Sequence, residues 1–147
     1  MAAPVLDQIN LVCRDMEVTL TFYRALGVDI PEEAIWRTAS GPHHAEVTLP
    51  GGLELAFDSE KLAATYNQGW AKTVSMQSNG VIGFRVSSRE EVEQLYEELN
   101  KVGYSCSQPP YDTFWGSRYA IFEDPDGRHV GIMSPPDSNL RQSPPDI

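Results

Sequence analysis

The chain has 147 residues, with 41% hydrophobic and 22% charged side chains, values ordinary for a globular protein able to bury roughly 70% of its unfolded surface. Its 21 acidic against 11 basic side chains give a net charge of −10, which repels phosphate backbones and argues against a nucleic-acid partner. No apolar run approaches the roughly 18 residues of a membrane helix, and Met1-Ala2-Ala3-Pro4 has neither the basic nor the apolar part of a signal peptide. Two cysteines, Cys13 and Cys106, are too few for a disulfide framework, so a cytoplasmic location with reduced thiols is expected.

In chain order, Val5 to Val12 reads as a strand. Asp15 is placed to cap a helix whose apolar residues Val18, Phe22, Tyr23 and Leu26 follow helical spacing, and Gly27 suits its end. Ile35 to Thr38 and His43 to Leu49 read as strands. Pro50-Gly51-Gly52 forms a turn into Leu53 to Phe57, and Asp58 or Ser59 caps a short helix over 61–66. The polar stretch 71–79 reads as a linker. Val81 to Val86 then repeats the first strand. Ser88 with Glu91 fits a capping box, and Val92, Leu95, Tyr96 and Leu99 make an amphipathic stripe closed by Gly103. Tyr104 to Ser107 is expected as a strand broken by Pro109-Pro110. Arg118 to Phe122, the turn Asp124-Pro125-Asp126-Gly127 and His129 to Met133 make a second hairpin. The proline-bearing segment 135–147 reads as a loose tail or a strap over a partner.

The order strand, helix and three strands thus occurs twice. Ile9 and Ile82 stand 73 residues apart, and at that offset Leu11 meets Phe84, Phe22 meets Leu95 and Tyr23 meets Tyr96. That period exceeds those of solenoids, so a duplicated half-domain is the better reading. The fold class is α+β, with two tandem βαβββ modules, 5–70 and 80–134. Strand and helix do not alternate as in a Rossmann sheet, and no glycine-rich phosphate loop follows either first strand.

The stretch Phe114-Trp115-Gly116-Ser117-Arg118 through Asp124-Pro125-Asp126-Gly127, together with Asp15-Met16 to Leu26-Gly27, resembles the vicinal oxygen chelate superfamily of glyoxalases, bleomycin-resistance proteins and extradiol dioxygenases. The resemblance covers 5–134 and implies curved sheets around a cavity between the modules, commonly completed by pairing of two chains, sometimes with exchange of modules. It further implies metal ligands on the first and last strands of each module. By position these fall on Gln8, Glu54, Val81 and Gly131, and neither valine nor glycine can ligate through a side chain. Counting from Pro50 and Pro125 instead matches Glu54 with His129, so a divalent ion held by Gln8, Glu54 and His129 stays open as an alternative to no metal at all.

Glu54, between Leu53 and Leu55, points to a binding face if the leucines pack under helices; otherwise it is a rim carboxylate in water. Arg85 shares strand parity with Val81 and Gly83 and either holds an anionic group or stands in solvent. Gln8 and Asn10 share a face and can orient a polar ligand or satisfy buried neighbours. Trp36, Trp70, Phe114 and Trp115, with Tyr111, lie outside the helix stripes, as pocket-lining aromatics often do. His43 and His44 must face opposite sides of a strand. Neither cysteine has a neighbour that would activate it, and no serine–histidine–acid motif occurs. The expectation is a metal-independent binder of an aromatic or amphipathic small molecule, of the bleomycin-resistance type. A metal-dependent lyase, isomerase or dioxygenase is the alternative, and a non-catalytic dimeric scaffold the third.

Overall fold

A computed structural model of the chain describes Ala3 and residues 8–66 and 81–143. The expected linker 71–79, Trp70, the start of the first strand at 5–7 and the last four residues lie outside the described residues. The chain divides into two compact units, Met1–Met76 and Gln77–Ile147.

In the first unit, β1 (Gln8–Cys13) leads into α1 (Met16–Leu26), then β2 (Ile35–Thr38), β3 (Gly41–Thr48), β4 (Glu54–Ser59) and α2 (Glu60–Tyr66). In the second, β5 (Val81–Arg85) leads into α3 (Arg89–Val102), β6 (Cys106–Asp112), β7 (Arg118–Glu123) and β8 (His129–Met133). Each unit makes one four-stranded mixed sheet, in the order β1-β4-β3-β2 and β5-β8-β7-β6. In both, the first and last strands pair parallel and the others antiparallel. The α+β class and the twofold βαβββ plan are therefore as read from the sequence.

The helix ends follow their local chemistry. Asp15 accepts a hydrogen bond from the Val18 amide, and Gly27 closes α1 in the left-handed region at φ +108°, where a side chain would be strained. Ser88 Oγ accepts from the Glu91 amide at 3.1 Å, and the Glu91 carboxylate reaches back to the Ser87 amide and hydroxyl. Those bonds from Ser87 hold the Glu91 carboxyl below its ordinary value of 4.5.

One face of each sheet packs against helix. In the first unit Leu11, Cys13, Ala45, Leu55 and Phe57 are buried with Leu20, Phe22, Tyr23 and Leu26 of α1, and the Tyr23 and Phe57 rings lie 5.1 Å apart. In the second, Ala120, Phe122, Val130 and Ile132 are buried with Val92 and Leu99, and Tyr96 packs 5.7 Å from Phe122. Each fully buried leucine or phenylalanine contributes about 1.5–3 kcal/mol. Along the regular strands the alternate residues therefore lie on the opposite face, which is free of α1 in the first unit and of α3 in the second and is called helix-free in that sense.

Two expectations change. Strand β6 does not end before Pro109-Pro110 but runs through both to Asp112. It is an edge strand with register shifts against β7, the setting in which a sheet tolerates residues that cannot donate a ladder hydrogen bond. The segment after β8 is not a loose tail over its described length. The amides of Ser134, Asp137 and Gln142 donate to the carbonyls of Arg118, Gly116 and Phe114 at 2.9, 3.0 and 2.7 Å. Gly116 permits this approach, since a Cβ there would sit 2.2 Å from the Asp137 carbonyl oxygen. The segment thus braces the loop that carries Phe114 and Trp115.

Candidate functional site

The helix-free face of the first unit is polar. The parallel ladder sets Gln8 opposite Glu54, Asn10 opposite Ala56 and Val12 opposite Asp58. The antiparallel ladder adds His44 opposite Asp58, Glu46 opposite Ala56 and Thr48 opposite Glu54. Gln8, Asn10 and Glu54 therefore share one face, as their spacing implies. The same face holds three residues the sequence reading did not select: His44, Glu46 and Asp58.

These side chains form one network. Asp58, with a side chain only 3% exposed, accepts from Asn10 Nδ2 at 2.7 Å and bonds His44 Nδ1 at 2.6 Å. His44 Nε2 lies 3.7 Å from Glu46 Oε2, which accepts from Gln8 Nε2 at 3.1 Å. A carboxylate buried this deeply is costly unless its oxygens are bonded, and Asn10 and His44 meet that demand. The signal for Asp58 was present, since it shares strand parity with Glu54. It was masked by its resemblance to a helix cap, a role that Ser59 Oγ fills by accepting from the Leu62 amide. His43 points the other way. It is buried, with Nδ1 2.8 Å from Ser59 Oγ and Nε2 2.8 Å from Ser40 Oγ. Trp36, on the edge strand β2, is 52% exposed, and its ring centre lies 5.4 Å from that of His43; β3 separates its strand from β4.

The helix-free face of the second unit is aromatic. Val81 stands opposite His129, Gly83 opposite Gly131 and Arg85 opposite Met133. On the other side of β8, Ile121 stands opposite Gly131 and Tyr119 opposite Met133. The Tyr119 ring crosses over Gly131, since a Cβ built there would meet its Cε2 and Oη at 2.6 Å. Trp115 lies 6.0 Å and Tyr111 6.1 Å from the Tyr119 ring, and Phe114 meets Trp115 edge-on at 5.0 Å. Trp115 Nε1–H donates to Met133 Sδ at 3.4 Å. Phe114 and Trp115 are thus brought together, while Arg85 stands exposed at the strand end.

Burial, and then the neighbouring Tyr111, push the Tyr119 hydroxyl above its ordinary value of 10.0. The unfolded chain then loses this proton first, so the contribution to stability is whole below about pH 10 and falls as pH rises beyond it. A phenolate absorbance titration should show a late-ionising component that Tyr119→Phe removes. An unchanged curve would contradict the burial of this ring. Burial likewise raises the Cys106 thiol, and Cys13 is buried, so neither is an activated nucleophile.

The ladders correct one positional match. Glu54 lies across from Gln8 as His129 lies across from Val81, so the strand counterpart of Glu54 is His129, while Gly131 answers to Ala56. The second unit therefore keeps one side chain of metal-binding type at this pair, and His129 Nε2 lies 4.0 Å from Glu123. A catalytic divalent site needs about three protein ligands with an open position. In the first unit Asp58 is bonded to Asn10 and His44, and Glu46 accepts from Gln8. Among the described residues no group of three or more His, Cys, Asp or Glu side chains is placed to hold a metal ion. The donors of neither unit, taken alone, fit a three-ligand centre.

Duplicated βαβββ units, each pairing its first and last strands in parallel within a four-stranded mixed sheet, define a recognisable class. A family model described as the Glyoxalase/Bleomycin resistance protein/Dioxygenase superfamily matches residues 5–132, and the chain belongs to that superfamily. Similar solved structures include a glyoxalase/bleomycin resistance protein/dioxygenase from Nocardioides, 23% identical, with TM-score 0.69 over 100% of this chain and 91% of that one. A family enzyme from Burkholderia phytofirmans PsJN is 19% identical, with TM-score 0.71 over 88% and 97%. A glyoxalase-related enzyme from Fulvimarina pelagi is 20% identical, with TM-score 0.68 over 90% and 89%. At these identities the likeness is one of fold. No curated protein matches the sequence. Among the described residues no helix is long and apolar enough to cross a membrane.

Proposed function

We propose that this protein is a metal-independent binder of the bleomycin-resistance type, sequestering an aromatic or amphipathic small molecule on its helix-free sheet faces. The observation that carries this reading is the Tyr119 ring lying over Gly131, flanked by Trp115 and Tyr111. Across from Gly83 the face presents a cluster of tilted and edge-on aromatic rings, a surface that suits a flat ligand. Sequestration requires no chemistry, so the valine at Val81 costs it nothing. On the first unit, Gln8, Asn10 and Glu54 share a sheet face that offers polar contacts of its own.

The test is calorimetry of the protein, in chelator, against a panel of aromatic antibiotics and heterocycles. At least one should bind well below millimolar, and Trp115→Ala should weaken it about tenfold or more. A panel that binds no tighter than about millimolar sinks the proposal.

The register of β8 favours a second reading, a metal-dependent lyase, isomerase or dioxygenase, because His129 stands where Glu54 stands in the first unit. Elemental analysis of gently purified protein decides between the two. Stoichiometric nickel, zinc, manganese or iron, lost on His129→Ala, would favour the enzyme and overturn the metal-free binder.

A further inference from the structure

We propose that His44 and Glu46 form an amine-binding subsite on the first unit, so that the ligand it takes carries a primary ammonium group. This rests on the binding function proposed above and names the ligand class more narrowly. The argument begins with the buried Asp58. Its side chain accepts from Asn10 Nδ2 at 2.7 Å and lies 2.6 Å from His44 Nδ1, a contact in which an ionised carboxylate can only accept and the imidazole must donate. A neutral imidazole has one donor and one acceptor nitrogen, so an anchored Nδ1–H makes Nε2 the acceptor. Nε2 lies 3.7 Å from Glu46 Oε2, beyond hydrogen-bond distance. Glu46 is held in turn by Gln8 Nε2 at 3.1 Å.

The two acceptors are thus each fixed from behind. A nitrogen about 2.8–2.9 Å from both closes a triangle on the 3.7 Å base, with two N–H bonds directed one to each. A hydroxyl has a single proton and satisfies only one of them; an ammonium has three. The charge points the same way. Glu46, Glu54 and Asp58 share this face, while β1, β3 and β4 contain no lysine or arginine. The His44 and Glu46 side chains are 36% and 41% exposed, so a ligand can reach them.

The test compares 1-naphthylmethylamine with 1-naphthalenemethanol, the same ring system with an ammonium or a hydroxyl, by calorimetry on the full chain at moderate salt. The amine should bind about tenfold to a hundredfold tighter, the range of one or two charge-assisted hydrogen bonds. Glu46→Gln and His44→Leu should each remove most of that preference. Glu98→Gln, the same charge change on the exposed surface of α3, should leave it intact, separating the subsite from general attraction by an acidic protein. Nitrogen NMR should report His44 as the Nδ1–H tautomer, and Asp58→Asn should disturb that signal. Equal binding of amine and alcohol overturns the subsite but leaves the aromatic binder standing. A preference that survives Glu46→Gln and His44→Leu also overturns it. If neither compound binds and no member of the antibiotic panel does, both proposals fail together.

Discussion

Asp124→Ala should lower unfolding stability by about 3–5 kcal/mol. The Asp124 side chain is fully buried and its carboxylate is wholly engaged. Oδ1 accepts from the amides of Asp126 and Arg128, both at 2.9 Å, and Oδ2 pairs with Arg128 Nη1 at 2.8 Å. Removing it leaves two amides without this acceptor and takes from the Arg128 guanidinium, 16% exposed, its partner at 2.8 Å, Asp126 lying farther off at 3.5 Å. Asp124→Asn keeps an acceptor oxygen for the amides and should lose about half as much. Urea denaturation of the three proteins measures this. An alanine variant within about 1 kcal/mol of the parent would mean that Asp124 does not organise the turn. The turn matters beyond its own stability because it fixes the β7–β8 register, and with it the position of Tyr119 over Gly131.

Much of this architecture is legible in the sequence, because its signals are local and repeated. Asp15 with Gly27 and Ser88 with Gly103 bracket two helices by capping chemistry alone. The Asp-Pro-Asp-Gly turn announces the last hairpin. Parity along a strand places Gln8, Asn10 and Glu54 on one face, since a period of two allows nothing else once Leu55 is buried. The rest depends on relations between strands. Whether His129 or Gly131 answers to Glu54 is decided by pairing with β5, which no count along one strand can supply. Asp58 resembles a helix cap until β4 is seen to extend through Ser59, which turns it inward beneath Asn10 and His44. The prolines of β6 imply a break only if the strand is central; at an edge they are tolerated. The brace formed by 134–142 has no periodic signature, and it depends on Gly116 lacking the one carbon that would exclude it.

Gly131→Ala carries the second large effect and reports on the candidate site directly. The added Cβ would lie 2.6 Å from Cε2 and Oη of Tyr119, so the ring must move. Its neighbours resist, because Trp115 and Tyr111 flank it and Trp115 is tied to Met133. Overpacking of this kind costs about 1–3 kcal/mol, offset only in part by the roughly 0.5–1 kcal/mol that alanine contributes over glycine within a regular element. A net destabilisation of about 1–2 kcal/mol is expected, with a change in Trp115 fluorescence as its contact with Tyr119 is disturbed. Tyr119→Ala removes the obstructing ring, so Gly131→Ala made in that background should cost nothing or stabilise slightly. The double-mutant cycle should therefore show a coupling of at least about 1 kcal/mol. Independent, additive effects would place the Tyr119 ring elsewhere and withdraw the main support for an aromatic ligand surface on the second unit. A coupled pair would mean that the strand position across from Gly83 is closed to a larger side chain by a neighbouring ring.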